Sequence, residues 1–468
     1  MIIMKFGGAS LQDDFNFANV IQVIQKHKKQ NPIVVVSAMK NVTDLLIESI
    51  QFAVKRDHSR LAKNLKCLRD KHLFVIESLV KEASLQNEVK ADFVKLFTEL
   101  DNLLNAVSVL KECTKKSWDR IVSFGERLSS RILSDAMISH GLSAVQVFGE
   151  EVIVTDSSFN FAYPNLELTK SKSSEKLLPI LKLNLIPVIA GFTGSTLNGE
   201  TTTMGRGGSD LSASILGASL ECEEVWFLKE VDGILTHDPK VVTNATLIQD
   251  ISYSEVAELS YFGAKVLHPI AIHPLKENGI PARIKNVYNS LEPGTRVTSL
   301  GDKEINLSKP VKAISTINDI CLLTIQGEGM IGIPGVAAKV FNCLADSLVN
   351  VLMISQSSSE QNICVVISDA DKDRALKELS DKFELEILKG LMGAIKVQEC
   401  FSIVSLVGKQ MAGSCGVSGK VFSILGDCHI NVAMIAQGSS ELNISFLILS
   451  SDVNEAVLNL HQAFLLHE

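Results

Sequence analysis

Two glycine-containing segments carry the residues best suited to binding a phosphate group. The first, KFGGAS (Lys5–Ser10), follows an apolar run, and its adjacent glycines, Gly7 and Gly8, let backbone N–H groups approach phosphate oxygens. Lys5 would place a positive charge beside a transferring phosphoryl group. Because the lysine precedes the glycines, the segment is not a GxxxxGK[ST] phosphate loop. Taken alone, a lysine that ends a strand before a glycine turn is more often structural.

The second segment, MGRGGSD (Met204–Asp210), leads into a helical run, Leu211–Leu220. A helix N-terminus made of small residues offers unpaired N–H groups and the positive end of the helix dipole to an anion. Arg206 can bind a carboxylate through two parallel hydrogen bonds. Asp210 could orient a lysine, but it and Ser209 could equally cap the helix.

Polar residues and glycines also follow several other apolar runs. In SFGER (Ser123–Arg127), Glu126 could bind a substrate ammonium group or could be a solvated residue at a helix start. Three further segments, SAMKNVTDLL, KEVDGILTHDPK and YFGAKVLHP, come just after apolar strands, where open α/β sheets bind ligands. His237 lies in the second of these, and we expect it to have a structural role at the surface. The ten histidines show no metal-ligand spacing.

The elements that would position these residues alternate between short apolar runs and amphipathic stretches. The predicted buried strands are Ile2–Lys5, Ile33–Ser37, Ile186–Ala190 and Val225–Leu228, and the amphipathic stretches include Phe17–His27 and Leu128–Ser139. This alternation predicts an α/β domain with a mainly parallel sheet sandwiched by helices. Residues 54–116 are charged and helical in period, which indicates a helical insertion at the edge of the sheet.

An internal repeat follows a change of composition near residues 292–312. Aligned at an offset of 81 without gaps, residues 335–367 and 416–448 are identical at 18 of 33 positions, far above chance. Each copy reads as a strand, a glycine-bearing loop, a helix, a strand, a hairpin and a strand. We therefore expect three domains, comprising residues 1–300, 311–390 and 397–468.

One pattern typical of dinucleotide binding is interpreted as structural. Residues 327–332, GEGMIG, match GxGxxG. The corresponding residues of the second repeat, 408–413, read GKQMAG and lack the middle glycine. The shared glycines therefore indicate a loop common to both repeats rather than a nucleotide site.

The composition excludes several classes of protein. With 45 basic and 53 acidic side chains the net charge is −8, which disfavours nucleic-acid and membrane-surface binders. The nine cysteines include no CxxC pair, so neither zinc nor a disulfide framework is expected. No apolar run approaches the ~18–20 residues of a membrane span, and the start, MIIMKFGG, is no signal peptide. We expect a soluble, cytoplasmic protein with no nucleic-acid or membrane partner.

Taken together, the motifs resemble those of aspartate kinase, a member of the amino acid kinase family. KFGGAS, SAMKNVTDLL, SFGER, MGRGGSD, EVDGILTHDPK and SYFGAKVLHP occur in the order and spacing of that family. The C-terminal repeats resemble its paired βαββαβ ACT domains. ISQSSSE, IAQGSSE and ELSYFGAKVLHP are most similar to the kinase half of bifunctional aspartokinase–homoserine dehydrogenases. We expect no dehydrogenase half, because the chain stops just after the second repeat.

The resemblance implies an amino acid kinase fold, ATP with Mg²⁺ as cofactor, and phosphorylation of the β-carboxylate of L-aspartate. This would be the first step toward lysine, threonine and methionine. Lys5, Gly7 and Gly8 would stabilise the transferring phosphoryl group, and Asp210 would hold Lys5. Arg206 would bind the substrate α-carboxylate, Glu126 its ammonium group, and Ser37, Thr43 and Ser209 would complete the pocket. The nucleotide site would comprise Lys5, Phe6, Gly7, Gly8, Lys229, Glu230, Leu235, Lys240 and Lys265. No protein metal site is implied.

For the repeats, the resemblance implies feedback control by an end-product amino acid, in a homodimer or higher oligomer formed through the ACT domains. Gln356 and Gln437 would contact the effector, with threonine favoured over lysine. The alternative is that each glutamine hydrogen-bonds its neighbouring hairpin.

The sequence departs from the usual pattern of the family in three places. Lys229–Glu230 replaces a Thr-Asp pair found in many relatives, Leu235 replaces a tyrosine, and Ala9 replaces a threonine. None removes a charged group from the implied reaction centre, so activity is expected. Two other hypotheses stay open: another amino acid kinase that phosphorylates a different substrate, and a non-catalytic amino-acid sensor.

Overall fold

The computed structural model describes residues 1–264, 267–301, 309–327, 333–356 and 361–465. These residues form two compact units. The first contains Met1–Ile234, Leu247–Ala257 and the described residues from 267 to 301. The second contains Leu235–Thr246, residues 258–264 and the described residues from 309 onward. Two short segments of the first 300 residues therefore belong to the second unit.

The first unit is built on an eight-stranded sheet, and four of its strands coincide with the four predicted apolar runs to within one residue. Its ten strands are β1 (Ile2–Phe6), β2 (Pro32–Val36), β3 (Ala144–Val147), β4 (Ile186–Ala190), β5 (Thr193–Ser195), β6 (Thr201–Thr203), β7 (Glu224–Lys229), β8 (Asp250–Ser252), β9 (Ala282–Asn286) and β10 (Thr295–Thr298). The sheet order is β3-β4-β2-β1-β7-β9-β10-β8, and β5 and β6 form a separate hairpin. Neighbouring strands of the sheet pair parallel except β9 with β10, which confirms the expected mainly parallel sheet.

Helices cover both faces of this sheet. They are α1 (Asp14–Lys26), α2 (Val42–Val54), α3 (His58–Leu79), α4 (Ala83–Leu110), α5 (Lys115–Val122), α6 (Phe124–Ser139), α7 (Leu166–Lys182), α8 (Gly208–Ser219), α9 (Tyr253–Tyr261), whose last residues belong to the second unit, and α10 (Pro269–Asn278). Met4 and Phe6 of β1 face the large core formed with helices α1 to α6. Because side chains alternate along a strand, Lys5 faces the opposite side, where α8 packs against β1 and β7. The predicted helical insertion corresponds mainly to α3 and α4.

The second unit contains a six-stranded antiparallel sheet of order β12-β13-β11-β14-β16-β15. The strands are β11 (Ala313–Gln326), β12 (Val351–Gln356), β13 (Asn362–Ser368), β14 (Lys396–Val407), β15 (Met434–Ala436) and β16 (Asn443–Leu449). The helices are α11 (Val336–Asp346), α12 (Lys372–Lys382), α13 (Glu384–Leu388), α14 (Val417–Asp427) and α15 (Val453–Leu465). Of the GEGMIG pattern, only Gly327 lies within the described residues.

The two long central strands are shared between the repeats. The first half of β11, residues 313–317, pairs with residues 403–407 of β14, and its second half pairs with residues 396–398. Both strands are interrupted by a residue with positive φ, Asp319 at +57° and Cys400 at +64°, and these positions are related by the same 81-residue offset. Within residues 397–465 the second repeat has three strands, so the first half of β11 supplies the fourth strand of its sheet.

The two halves of β11 also belong to different hydrophobic cores. Ile314, in the first half of β11, packs with α14 and α15 of the second repeat. Cys321, Leu323 and Ile325, in the second half of the same strand, pack with α11 and α12 of the first repeat. Each half of β11 therefore stabilises a different repeat. Among the described residues, no helix has the length and apolarity that crossing a membrane requires.

Shortening one side chain in either half of β11 tests whether the strand is shared between the two repeats. Ile314→Ala should remove about 2–5 kcal/mol of packing from the second repeat and speed amide exchange in α14 and α15. Leu323→Ala is the matched control, because it lies on the same strand, and it should instead speed exchange in α11 and α12. Hydrogen–deuterium exchange with peptide resolution measures both. Equal effects of Ile314→Ala on the two helix pairs would contradict the assignment.

Candidate active site

The glycine-containing loop after β1 leaves no space for a side chain at its second glycine. A Cβ atom built on Gly8 would lie 2.9 Å from the carbonyl oxygen of Ala38, whereas one built on Gly7 would lie 3.7 Å from Lys5 Nζ. The loop thus approaches the segment after β2 closely and places backbone groups beside the Lys5 ammonium group. Ser10 ties this loop to the end of β7, since its hydroxyl donates to Glu230 Oε1 at 2.8 Å.

Asp210, in the first turn of α8, is the electrostatic centre of the site. Its carboxylate is buried and forms ion pairs with Lys5, through Oδ1, and with Lys229, through Oδ2 at 3.5 Å. Burial alone would raise the pKa of Asp210, but the ammonium groups of Lys5 and Lys229 outweigh it and hold that pKa below its usual range. The ion pair with Lys5 is the contact that one of the two predicted roles of Asp210 requires.

The segment before α8 brings a second set of predicted residues together. Gly207 has φ of +71°, and a Cβ atom there would lie 2.5 Å from His268 Cβ, so this position requires glycine. Ser209 Oγ lies 2.7 Å from Ser37 Oγ, which joins the start of α8 to the end of β2. Arg206 is exposed and, among the described residues, makes no ion pair. Its guanidinium group is free to bind an anion.

Glu126 is buried in α6 with one carboxyl oxygen, Oε2, that has no hydrogen-bond partner in the described part of the chain. Burial raises its pKa to about 8, although the N–H of Ala38 and the nearby Lys5 favour the ionised form, and Glu150 opposes it. Near neutral pH this carboxyl group is mostly protonated until a cation reaches it. Thr43, half-buried in the first turn of α2, is the remaining predicted residue of this pocket.

The residues predicted to line a nucleotide site are divided between the two units. Phe6, Lys229 and Glu230 lie in the first unit, at the ends of β1 and β7. Leu235 and Lys240 lie in Leu235–Thr246, which belongs to the second unit, and Lys240 is exposed. Lys265 lies outside the described residues. The structure therefore groups Lys229 and Glu230 with Lys5 within the first unit, whereas Leu235 and Lys240 belong to the second unit.

The expected surface position of His237 is wrong. The ring is buried, and its Nδ1 lies 2.8 Å from the carbonyl oxygen of Ile314. Burial lowers the pKa of His237, so the ring is held neutral. Its neighbour Thr236 is linked in the same unit to Nε2 of His461 at 2.9 Å. The segment after β7 is therefore anchored to the C-terminal repeats.

Gln356 and Gln437 occupy equivalent positions at the two outer strands of the second sheet. Gln356 is the last residue of β12, and Gln437 directly follows β15. Both side chains are exposed and form no hydrogen bond within the described ranges. β12 and β15 are in contact although they lie at opposite ends of the strand order. The two amide groups are available to a ligand.

Sequence reasoning missed three residues: Phe192, which lies against the start of α8, and Arg127 and Glu150, which lie near Glu126. Phe192, in the GFTG segment after β4, is buried with φ of +68°, a conformation that costs a bulky residue about 1–2 kcal/mol. The Arg127 guanidinium group lies 5.2 Å and 4.8 Å from the ring centroids of Phe124 and Phe148. Glu150 accepts a hydrogen bond from the Thr193 hydroxyl at 3.2 Å. The only available signals were the glycines flanking Phe192 and the position of Arg127 next to Glu126.

Comparisons with known proteins agree on one family. The amino acid kinase family profile matches residues 1–286, and the ACT domain profile matches residues 323–383 and 404–464. The chain is 34% identical to bifunctional aspartokinase/homoserine dehydrogenase 2 of Arabidopsis thaliana, covering 99% of this chain and 50% of the relative. It is 32% identical to aspartokinase 2 of the same plant, covering 99% and 84%. The chain thus spans about half the length of the bifunctional relatives it matches.

Solved structures are similar over the full chain. Escherichia coli aspartokinase III in complex with aspartate and ADP has a TM-score of 0.80 at 28% identity, covering 100% of both chains. The same enzyme in complex with lysine and aspartate has a TM-score of 0.85 at 27% identity, covering 99% of both chains.

Proposed function

The chain belongs to the amino acid kinase family and, within it, to the aspartokinases, and we propose that it phosphorylates the β-carboxylate of L-aspartate with ATP. The product is 4-phospho-L-aspartate, in the first step toward lysine, threonine and methionine. The observation that carries this proposal is the buried ion pair between Lys5 and Asp210 beside the Gly7–Gly8 loop. Such a pair supplies a fixed cation where phosphoryl charge is redistributed.

The reaction needs positioning and charge rather than proton transfer. An oxygen of the β-carboxylate attacks the γ-phosphorus, the new O–P bond forms, and the bond from phosphorus to the leaving ADP oxygen breaks. The attacking group is already ionised at neutral pH, so no general base is required. The protein therefore acts by aligning the two anions and by stabilising charge on the phosphoryl oxygens.

The geometry supports a role for each charged group. Lys5 and the backbone of Gly7 and Gly8 bind the phosphoryl group, and Asp210 holds Lys5. Arg206 binds the α-carboxylate of aspartate, since its exposed guanidinium group has no ion-pair partner among the described residues. Glu126 binds the substrate ammonium group through its unpartnered oxygen. The assignments carried over from the resemblance are Ser37, Thr43 and Ser209 for aspartate, and Phe6, Lys229, Glu230, Leu235, Lys240 and Lys265 for the nucleotide.

Magnesium fits this site as a partner of the nucleotide rather than of the protein. The Asp210 carboxylate is paired with two ammonium groups, and Glu230 accepts a hydrogen bond from the Ser10 hydroxyl. The described ranges contain no group of three or more histidine, cysteine or acidic residues that could hold a metal ion. Mg²⁺ would therefore be held by ATP phosphates and water, where it neutralises phosphate charge.

The C-terminal repeats are proposed to bind an amino acid effector. Gln356 and Gln437 present free amide groups at equivalent ends of two contacting strands, and an amide can both donate to a carboxylate and accept from an ammonium group. Threonine is the favoured effector and lysine the second. The lysine complex of E. coli aspartokinase III supports an effector of this class. A homodimer formed through these repeats completes the proposal.

Three further assignments are proposed with the function. Residues 1–300 act as the catalytic domain, and 311–390 and 397–468 act as regulatory repeats. The location is cytoplasmic, although several plant relatives carry the description chloroplastic. A purely sensory protein is disfavoured, because Lys5, Arg206 and Asp210 are all present. Lys5 is held by Asp210, and the exposed Arg206 has no ion-pair partner among the described residues, so both cations can bind anionic substrates.

Trapping the acyl phosphate as a hydroxamate tests the activity. Wild-type protein should form hydroxamate from ATP and aspartate but not from ATP and glutamate. Lys5→Ala should lose about 10²-fold in turnover, because it removes one preorganised stabilising charge. Arg206→Ala should mainly raise the KM for aspartate. Unchanged turnover in Lys5→Ala would reject the site, and reaction with glutamate instead would indicate a different amino acid kinase.

The raised pKa of Glu126 predicts a pH-dependent affinity for aspartate. The carboxyl group must lose its proton to pair with the substrate ammonium group, so the KM for aspartate should fall about tenfold per pH unit from pH 6 toward 8 and then level off. Calorimetry in buffers of different ionisation enthalpy should show proton release near pH 7. Glu126→Gln, the matched control, should bind weakly with no such release. A flat KM in the wild type would exclude this role for Glu126.

Isothermal titration tests the regulatory proposal. Threonine should bind with measurable heat, and Gln356→Ala and Gln437→Ala should each weaken that binding by about tenfold, the loss expected for one or two hydrogen bonds. Gln30→Ala, an exposed residue of the first unit, is the control and should bind normally. Absence of heat from threonine, lysine and methionine would remove the sensor function.

A further inference from the structure

One buried carboxylate serves two ammonium groups in the first unit. Lys5 pairs with one oxygen of Asp210, and Lys229 Nζ lies 3.5 Å from the other. The side chains of Lys5 and Asp210 are only 6% and 8% exposed, and that of Lys229 is 22% exposed. A single carboxylate neutralises one of the two cations. The cluster therefore retains one positive charge with little access to solvent.

Other acidic groups near Lys229 compensate this charge only weakly. Glu230 accepts a hydrogen bond from the Ser10 hydroxyl, and within the described part of the chain Lys229 forms no ion pair other than the one with Asp210. Burial lowers the pKa of Lys229, and the positive charge of Lys5 lowers it further. The carboxylate of Asp210 raises this pKa, and that of Glu230 raises it by a smaller amount. A bound anion would neutralise the excess positive charge of the cluster.

The strand register aims both lysines at the same place. Lys5 of β1 is opposite Phe227 of β7, so Lys229 lies two residues further along the neighbouring parallel strand. Side chains two residues apart share a face, and register partners on parallel strands do too. Both lysines therefore project toward α8 at the carboxyl edge of the sheet. Their Cα atoms are separated by roughly 8 Å, from two residue rises and one strand spacing.

This spacing suits one anion held between two cations. A phosphoryl group at the carboxyl edge can accept from the Lys5 ammonium group on one side and from the Lys229 ammonium group on the other. The Gly7–Gly8 loop and the first turn of α8 flank this edge, and the N–H groups at a helix start are suited to binding an anion. The ion pairs with Asp210 hold both lysines in place.

We propose that Lys229 is a second catalytic cation, whose ammonium group contacts the transferring phosphoryl group opposite Lys5, with Asp210 positioning the pair. The proposal rests on the kinase activity proposed above and assigns Lys229 a stronger contact in the transition state than in bound ATP. A residue that only held the nucleotide would stabilise ground state and transition state equally. The two roles therefore separate in kcat and in nucleotide affinity.

Lys229→Met removes the charge but keeps the length of the side chain. Its kcat should fall about 10²-fold, while the Kd for ADP should change by no more than about threefold. Binding of ADP with aluminium fluoride and aspartate, which mimics the transferring group, should weaken by about the same 10²-fold. Lys229→Arg should recover part of both losses. Lys170→Met, which removes an exposed ion-paired lysine of α7, is the control and should match wild type.

Two results would overturn the proposal. The first is a kcat unchanged in Lys229→Met, whatever happens to ADP affinity. The second is equal weakening of ADP and of the aluminium fluoride complex, which would make Lys229 a nucleotide-binding residue only. If Lys229→Met unfolds, Lys229→Ala with added ethylammonium replaces it: saturable rescue supports the role, and no rescue in folded protein rejects it. Wild-type protein inactive on aspartate would instead reject the underlying kinase function.

Discussion

The arrangement of the first unit depends on placing one buried carboxylate between two ammonium groups. Asp210 can hold Lys5 and Lys229 only if β1 and β7 are adjacent and parallel and if a helix begins directly beyond their carboxyl ends. Removing Asp210 would leave two ammonium groups without a counter-charge in a region with little solvent, which is costly. The positive φ of Gly205 and Gly207 lets the chain turn into α8 at the required point. Sheet order, helix start and loop glycines thus serve a single electrostatic requirement.

The net charge of −8 coexists with this cationic centre because charge is distributed locally. Both proposed substrates are anions, so the surface average opposes their approach while the buried cluster attracts them. The cluster is effective because its surroundings are dry: the attraction between charges grows as the effective dielectric falls. Glu126 shows the same physics with the opposite sign, since burial keeps its carboxyl group protonated in the absence of a cation.

Much of this architecture could be predicted from the sequence, because local signals determine it. Short apolar runs predicted the central strands closely, and Ile186–Ala190 matched in both bounds. The glycine and charge patterns around Lys5 and Asp210 identified two segments that the structure brings together. Non-local features were not accessible. The burial of His237 depends on Ile314, 77 residues away, and the positive φ of Phe192 depends on packing against α8. No periodicity records either contact.

Sharing of β11 and β14 was equally hidden, because a 14-residue strand with one interruption has no local mark of belonging to two sheets. It matters for how the duplication can change. A chimaera that joins relatives at residue 390 or 397 would combine half-strands from different parents in both cores. Crossovers at Asp319 and Cys400, where each strand is interrupted, would exchange whole cores instead. The boundaries of the two hydrophobic cores are thus offset from the boundaries of the sequence repeats. Recombination that keeps each core intact would occur at the core boundaries.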